Sequence, residues 1–292
     1  MRVRELILRG MAAPSLAAAL AVPAGLLAQG AYQDLDTPYV PTPQVVVKRM
    51  LDIAGVKPGE TVIDLGSGDG RIMITAARDY GARGFGVDID TYLVQSSNEE
   101  AVRAGVSDRV KFLKQDLFAT DFHEADVLTL YLLPDVNLAL RPKILAELRA
   151  GTRVVSHDYG MGVWRPDAQE TVAAPDKTVG VRKESTVYLW IVPAKVEGAW
   201  ELEIHLGGKT RRYPLALRQQ YQVVSGSVSV QAKADALIEG RLNGGEIRLK
   251  LPGRVVSRDP VDLVGRVTGD TLKGSVNRRD REIATWSARR RP

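Results

Sequence analysis

The pattern of apolar residues changes once along this chain, near residue 195, and this change constrains the fold most strongly. Up to about residue 192, short apolar runs alternate with amphipathic segments, a pattern typical of a parallel sheet with helices on both faces. Beyond that point, short alternating runs are separated by turn dipeptides such as Asn243-Gly244, which predicts an antiparallel meander. We therefore expect an α/β unit with a doubly wound, mostly parallel sheet over residues 31–195. A small antiparallel all-β barrel or sandwich of about eight strands should occupy residues 196–292.

The first unit also provides local signals for its strands and helices. Thr42 is placed to cap a helix that begins at Pro43, and a second helix should end at Gly81. Further helices are expected through Ala101 and over residues 138–148. The predicted strands cover residues 61–65, 84–89, 110–113, 125–132, 153–157 and 187–192.

The segment DLGSGDGR, Asp64 to Arg71, follows a predicted strand and opens a predicted helix. Its three glycines allow a tight turn and a close approach to a ligand. A dinucleotide-binding fingerprint would require glycine where Arg71 stands, and a phosphate-binding loop would continue with Gly-Lys-Ser/Thr. Asp64 and Asp69 place negative charge in the loop, which disfavours a pyrophosphate and favours a ligand with an ammonium and a sulfonium, such as S-adenosylmethionine.

Carboxylates also follow the next two strands. Asp88 ends the second strand and is placed to accept hydrogen bonds from ribose hydroxyls, and Asp116 could accept one from an adenine amino group. Open parallel sheets bind ligands at the carboxyl ends of their strands. The sequence therefore predicts a nucleoside-binding edge formed by three neighbouring strands.

Six motifs within residues 39–192 carry a family resemblance: YVPTPQVV from Tyr39, DLGSGDGRI from Asp64, GVDID from Gly86, QDLF from Gln115, LYLLPDVN from Leu130 and RVVSHDYGM from Arg153. The chain resembles class I S-adenosylmethionine-dependent methyltransferases. More narrowly, it is similar to the small protein-lysine methyltransferases of the ATP synthase c subunit and the adenine nucleotide translocase. The resemblance implies a seven-stranded sheet, S-adenosyl-L-methionine as cofactor, and methyl transfer to a lysine of a protein, including membrane-embedded ones.

We assign the candidate site residues to three groups. Tyr131 and His157 are the catalytic candidates; Tyr131 either lines a channel for an aliphatic side chain or only packs, and His157 is either a general base or a hydrogen-bonded histidine at a strand end. Tyr131 stands where other amino-directed methyltransferases carry Asn or Asp, which disfavours nucleic acid bases as acceptors. The cofactor candidates are Tyr39, Asp64, Gly66, Ser67, Gly68, Gly70, Asp88, Asp116 and Leu117, and the substrate candidates are Leu132, Leu133 and Pro134.

The N-terminal residues 1–30 have the pattern of a targeting segment, with three arginines before the uncharged stretch Met11 to Ala28. A cleaved signal peptide, an uncleaved membrane anchor and a misplaced start codon remain open. A cleaved leader implies export to the periplasm. An anchor implies a membrane-attached domain that faces the cytoplasm.

Composition excludes some chemistry and suggests a partner. The chain has no cysteine and 3 histidines, and the histidines are scattered, so we expect no metal site. Residues 196–292 carry 18 Lys and Arg against 11 Asp and Glu, which favours an anionic membrane surface or an acidic partner for the β domain. Two alternatives remain: a small-molecule methyltransferase, and an exported non-catalytic binding protein that uses the basic β domain.

Overall fold

The computed structural model describes residues 38–230, 236–253 and 255–291. All of them belong to one compact unit that runs from Thr37 to Pro292. The expected leader, residues 1–30, lies outside the described residues and stays a prediction, as does the compartment inferred from it. Within the described ranges, no helix combines the length and the apolar character needed to cross a membrane.

The first part of the chain forms a seven-stranded sheet with strand order β3-β2-β1-β4-β5-β7-β6. Strands β1 to β5 run parallel, and β7 pairs antiparallel with both β5 and β6. This confirms the predicted doubly wound, mostly parallel sheet. The strands are Thr61–Leu65 (β1), Arg83–Asp88 (β2), Val110–Lys114 (β3), Val127–Leu130 (β4), Arg153–His157 (β5), Ala168–Ala173 (β6) and Glu184–Ile191 (β7).

In the described part of the chain, one helix precedes β1, Gln44–Ile53 (α1), and three connect strands of the sheet: Arg71–Tyr80 (α2), Thr91–Arg103 (α3) and Pro134–Glu147 (α4). The prediction that Thr42 caps the first helix is wrong, because α1 starts after Pro43 and has no side-chain cap. The fourth helix begins four residues earlier than expected, since Pro134 provides a favourable first helical residue.

Strand β6 is the one element of the sheet that the sequence pattern missed. Its sequence AQETVA is almost fully exposed, so it shows no apolar run. As the outermost strand it is held by pairing with β7 and by an ion pair between Arg49 of α1 and Glu170. Burial patterns alone therefore do not reveal an edge strand of this kind.

The second part of the chain closes into an eight-stranded antiparallel barrel, which resolves the choice between barrel and sandwich. Alternate residues point inward, as in β12, and Trp200 and Trp286 are buried in the barrel core. The strands are Gly198–Leu206 (β8), Lys209–Gln220 (β9), Val223–Val228 (β10), Ala236–Asn243 (β11), Glu246–Leu251 (β12), Val261–Thr268 (β13), Thr271–Arg278 (β14) and Arg281–Arg290 (β15).

One end of the barrel contacts the segment that follows β5. The ring of Tyr221, in the β9–β10 turn, stacks on Trp164 with ring centroids 5.9 Å apart. Gln222 donates to the carbonyl of Arg165 at 2.8 Å, and Arg241 pairs with Asp167 at 2.8 Å. The barrel thus holds residues 164–167 in place.

Candidate functional site

The glycine-rich loop between β1 and α2 is closely covered by two side chains. Gly66 and Gly68 have positive φ values of 75° and 52°. A Cβ atom on Gly66 would lie 2.7 Å from Cδ2 of Leu132, and one on Gly68 would lie 2.7 Å from Cε2 of Tyr39. Only glycine fits both the backbone conformation and these contacts. The loop, Tyr39 and Leu132 therefore form one packed group.

Asp64, the residue before Leu65 and Gly66, is buried, and only one of its two carboxylate oxygens has a hydrogen-bond partner among the described residues. Oδ1 accepts a hydrogen bond from Thr129 at 2.7 Å, but Oδ2 has no partner among the described residues. The hydroxyl of Ser67 is likewise buried without a partner in the described part of the chain. Burial raises the pKa of Asp64 to about 7, and nearby Asp88 and Asp69 add to the effect. A buried carboxylate oxygen without a partner, at the start of a loop that also holds an unpaired buried hydroxyl, is suited to bind a polar cation such as an ammonium.

Asp69, by contrast, is charged and already paired with the guanidinium of Arg71. Burial disfavours its charge, but hydrogen bonds from Arg71 outweigh this and lower the pKa of Asp69. The Arg71 guanidinium also donates to the carbonyl of Thr42 at 2.8 Å. The Tyr39 hydroxyl interacts with the same carboxylate, and burial raises the pKa of Tyr39 to about 12. Arg71, the residue that breaks the dinucleotide fingerprint, thus fastens residues 39–42 over the loop.

The strands β1, β2 and β3, whose ends were predicted to bind a nucleoside, are neighbours in the sheet. Oδ2 of Asp88 accepts from the Gly68 amide at 2.9 Å, and Oδ1 accepts from the Asp90 amide at 3.0 Å. Asp116 is exposed, and its Oδ1 accepts from the Phe118 amide at 2.8 Å. Each carboxylate keeps lone pairs for a ligand. Ile89 lies directly after Asp88 and is 63% exposed, a large apolar residue that the sequence analysis did not single out.

A stack of rings lies at the ends of β4 and β5. Tyr131 follows β4, and its ring centroid is 3.8 Å from that of His157 and 6.4 Å from that of Tyr159. Burial raises the pKa of Tyr131 to about 12, so its hydroxyl is neutral at pH 7. Within the described part of the chain, this hydroxyl makes no hydrogen bond. The two catalytic candidates are therefore in contact, with Tyr131 between His157 and Tyr159.

His157 is completely buried, and both of its ring nitrogens have partners. Nε2 is 2.7 Å from the Ser185 hydroxyl, and Nδ1 is 3.3 Å from the Thr42 hydroxyl. Burial lowers the pKa of His157 to about 4, although Asp158 acts in the opposite direction. Neither nitrogen faces an open space, which does not fit a general base that takes a proton from a substrate.

The substrate candidates are placed differently from one another. Leu132 is 3% exposed and packs on Gly66, so it supports the glycine loop and does not line an open channel. Leu133 is half-buried and Pro134 is exposed, and both lie where α4 begins, next to Tyr131.

Several residues of this region were missed by sequence reasoning. Asn137 is fully buried on α4, donates to Ser156 and to the Tyr159 carbonyl, and leaves its own oxygen without a described partner. Lys177 pairs with Asp158 at 2.6 Å. These contacts join residues far apart in sequence, and only the polar residue in the apolar pattern of α4 could have drawn attention to Asn137.

The fold and this edge define a class I methyltransferase, and comparisons with known proteins agree. The family model of the ANTKMT methyltransferase domain matches residues 64–168. A protein-lysine N-methyltransferase of Saccharolobus islandicus (strain REY15A) is 42% identical over 53% of this chain and 93% of that protein. An ATP synthase c-subunit lysine N-methyltransferase of Xenopus laevis is 32% identical over 56% of this chain and 70% of that protein.

Among solved structures, an RNA methyltransferase of Salinibacter ruber in complex with S-adenosyl-L-homocysteine is 50% identical, with a TM-score of 0.49, over 54% of this chain and 96% of that chain. The relative from Saccharolobus islandicus is matched over nearly its whole length. The chain therefore belongs to the family of protein-lysine N-methyltransferases, which confirms the resemblance found in the sequence. It is an S-adenosylmethionine-dependent enzyme, and the barrel lies beyond the end of the family match.

The residues present fit this cofactor. The unpaired oxygens of Asp64 and Ser67 suit its ammonium group. Asp88 and Asp116 offer acceptor oxygens to hydroxyl and amino groups at the neighbouring strand ends.

Proposed function

We propose that this chain transfers the methyl group of S-adenosylmethionine to the side-chain amine of a protein lysine. The observation that carries the proposal is the neutral, half-buried Tyr131 at the end of β4, beside an edge suited to the cofactor. The names of the relatives, a protein-lysine N-methyltransferase and an ATP synthase c-subunit lysine N-methyltransferase, support the same acceptor.

The cofactor-binding roles follow the geometry of the edge. Asp64 and Ser67 bind the ammonium, with the backbone of Gly66, Gly68 and Gly70 alongside. Asp88 binds the ribose hydroxyls, while Asp116 and Leu117 contact the adenine, with Ile89 covering its face. Tyr39 closes the site from above the loop. When bound, the cofactor supplies an electrophilic methyl group next to a positively charged sulfur.

The chain's own task is to align an uncharged amine with that methyl group and to exclude water. A lysine has an ordinary pKa near 10.4, so it must lose a proton before it can attack. The half-buried surroundings of Tyr131 and Leu133 favour the uncharged form by desolvation, and the proton leaves to solvent. The neutral hydroxyl of Tyr131 is available to accept a hydrogen bond from the amine and fix its lone pair.

His157 acts in this proposal as a positioning residue. Its ring lies against Tyr131, and its two hydrogen bonds connect β5 to Ser185 of β7 and to Thr42. Replacement His157→Asn should lower kcat without changing the shape of the pH profile between pH 6 and 9, because a group with a pKa of about 4 does not titrate there. If the acidic fall in kcat seen in the parent enzyme disappears in this variant, His157 acts as a general base instead.

The protein substrate that we propose is a membrane protein, as the name of the Xenopus laevis relative suggests. The test is radiolabelled methyl transfer from S-adenosylmethionine into a membrane fraction, followed by mass spectrometry of the labelled residue. Parallel reactions contain total RNA or a low-molecular-mass extract as the acceptor. We expect label on lysine, abolished by Asp88→Ala in every reaction.

The control variant Arg78→Gln lies on α2 and loses only an exposed pair with Asp79, so it should keep full activity. Label that appears only in RNA or only in small metabolites would contradict the lysine proposal. Label that persists in Asp88→Ala would contradict the proposed cofactor site.

A further inference from the structure

The barrel has two ends of different character. In an antiparallel barrel successive hairpin turns alternate between the ends, and the turns at Tyr221 and Gly244 lie at the end that contacts the sheet unit. The opposite end carries the β8–β9, β12–β13 and β14–β15 turns. We call six exposed cations at this end the distal rim, namely Lys209, Arg211, Arg258, Arg278, Arg279 and Arg281. Arg212, next to Arg211, is left out because it pairs with Glu203.

The cations of the distal rim make no ion pair with a described carboxylate, whereas several cations elsewhere on the barrel do. Arg241 pairs with Asp167, Arg266 with Glu246, and Arg290 with Asp270. None of the rim cations makes an ion pair with a described residue. Asp259, Asp280 and Glu282 are the described carboxylates at this end without an ion pair, since Glu203 pairs with Arg212 and Asp262 with Arg248. The six rim cations outnumber these three carboxylates, so the rim has an excess of positive charge.

The β14–β15 hairpin is the clearest sign that the rim is built for an external anion. Arg278 and Arg281 are directly opposite each other in the strand pairing, and like charges in such a pair are destabilising. Arg279, between them, has a positive φ of 50°, a conformation that costs energy for a residue with a side chain. A sequence that only had to form this hairpin would gain by replacing one of these arginines.

We propose that the distal rim binds an anionic phospholipid surface. The rim cations lie on the tips of separate hairpins at one end of a rigid barrel, so a flat polyanion can meet them together. Leu237, near the start of β11 at this end, is 79% exposed and can enter the interface of a bilayer. This inference does not depend on which acceptor the enzyme methylates.

A nucleic acid fits the rim less well than a lipid surface. Single-stranded nucleic acids bind where aromatic rings stack on bases. The barrel's tryptophans are buried in its core, and Tyr213 is half-buried with its hydroxyl bonded to the Val255 carbonyl. The described rim residues therefore provide positive charge without a stacking surface.

The test is co-sedimentation with vesicles of phosphatidylcholine alone and of phosphatidylcholine with roughly one-third phosphatidylserine, an anionic lipid of the kind that attracts basic segments. Both the full chain and residues 37–292, which contain the whole described fold, are measured. The variant Arg278→Gln/Arg279→Gln/Arg281→Gln should bind the anionic vesicles about a hundredfold more weakly, since each basic residue contributes about 1 kcal/mol near such a surface. Binding should also weaken at high salt.

The control variant Arg103→Gln/Arg248→Gln/Arg266→Gln removes the same charge from paired positions outside the rim and should bind like the parent. The variant Arg281→Glu separates binding from misfolding, because it should raise the Tm by pairing with Arg278 while it weakens vesicle binding about thirtyfold. The proposal would be overturned if residues 37–292 did not bind anionic vesicles. It would also be overturned if the control variant lost as much affinity for these vesicles as the rim variant. Tighter binding to homopolymer RNA or polyglutamate than to vesicles would also overturn it and assign the rim to another partner.

Discussion

At the scale of single residues, the proposed contact of Asp64 with the cofactor's ammonium should make cofactor binding depend on pH. Its pKa is raised to about 7 by burial, so near neutral pH much of the free enzyme carries a protonated, uncharged Asp64. A bound ammonium favours the carboxylate, so binding must release a proton below this pKa. We expect the Kd for S-adenosylmethionine to rise about tenfold per pH unit below pH 7 and to level off above pH 8. Isothermal titration at pH 6, 7 and 8 measures this.

The raised pKa of Asp64 also affects the stability of the free enzyme. Cofactor binding should tighten as the pH rises, but the stability of the free enzyme should fall. Because the folded-state pKa of Asp64 lies above its ordinary value of 3.8, the folded free enzyme binds more protons than the unfolded chain between about pH 4 and 7. This group therefore makes the free enzyme less stable as the pH rises through that window. Asp64→Asn should remove both dependences, and a Kd that stays constant from pH 6 to 8 in the parent enzyme would refute the assignment.

Arg71 is the second residue whose role can be measured alone. It holds the Thr42 carbonyl and the Asp69 carboxylate, and so keeps Tyr39 on the glycine loop. Charge-assisted hydrogen bonds of this kind contribute about 1.5–3 kcal/mol. We expect Arg71→Met to weaken cofactor binding by at least tenfold in isothermal titration. Arg78→Gln, also on α2, should leave the affinity unchanged, and an equal loss in both variants would point to a damaged helix.

At the scale of elements, the barrel contacts residues 158–167, which lie next to Tyr131 on the proposed substrate side of the site. Tyr159 of this segment stacks on Tyr131, and Trp164 and Asp167 of the same segment are held by the barrel residues Tyr221 and Arg241. Loosening these contacts should misplace the acceptor and leave the cofactor edge untouched.

The variant pair Tyr221→Asn and Arg241→Gln tests this connection. Asparagine tolerates the left-handed φ of 55° at position 221, so the turn itself is kept. We expect the KM for the acceptor protein to rise severalfold in each variant, with an unchanged Kd for S-adenosylmethionine. Arg266→Gln, which removes a barrel ion pair away from this segment, should change neither value. If the Kd for S-adenosylmethionine rises in these two variants, the barrel affects the proposed cofactor-binding strand ends instead.

The sequence predicted the elements whose apolar residues face a core. The glycine loop, the β2 end at Asp88 and the six apolar strands were all recognisable, because burial on one or both faces leaves a pattern in the sequence. Strand β6 was not, since its side chains face solvent. The partners of His157 were also invisible, because Thr42 and Ser185 are 115 and 28 residues away and meet it only in the folded sheet.

At the scale of the whole molecule, the sheet unit and the barrel each have a hydrophobic core of their own. One lies on a face of the sheet and includes Met50, Val155 and Val187, and the other fills the barrel around Trp200 and Trp286. Contacts between the two units are a few hydrogen bonds and ring contacts, such as that of Trp164 with Tyr221. A ligand at the strand ends of the sheet therefore stabilises the sheet core directly and the barrel core only through these contacts.

The 4 tryptophans of the chain make this measurable, because Trp164 and Trp190 report on the sheet unit and Trp200 and Trp286 on the barrel. Saturation at about 100 times the Kd stabilises the binding unit by about 2.7 kcal/mol. In a Trp200→Phe/Trp286→Phe variant, the cofactor should therefore raise the Tm seen by fluorescence by several degrees. In a Trp164→Phe/Trp190→Phe variant the shift should be smaller. Equal shifts in both variants would show that the two cores unfold as one cooperative unit, with the Tyr221 and Arg241 contacts strong enough to couple them.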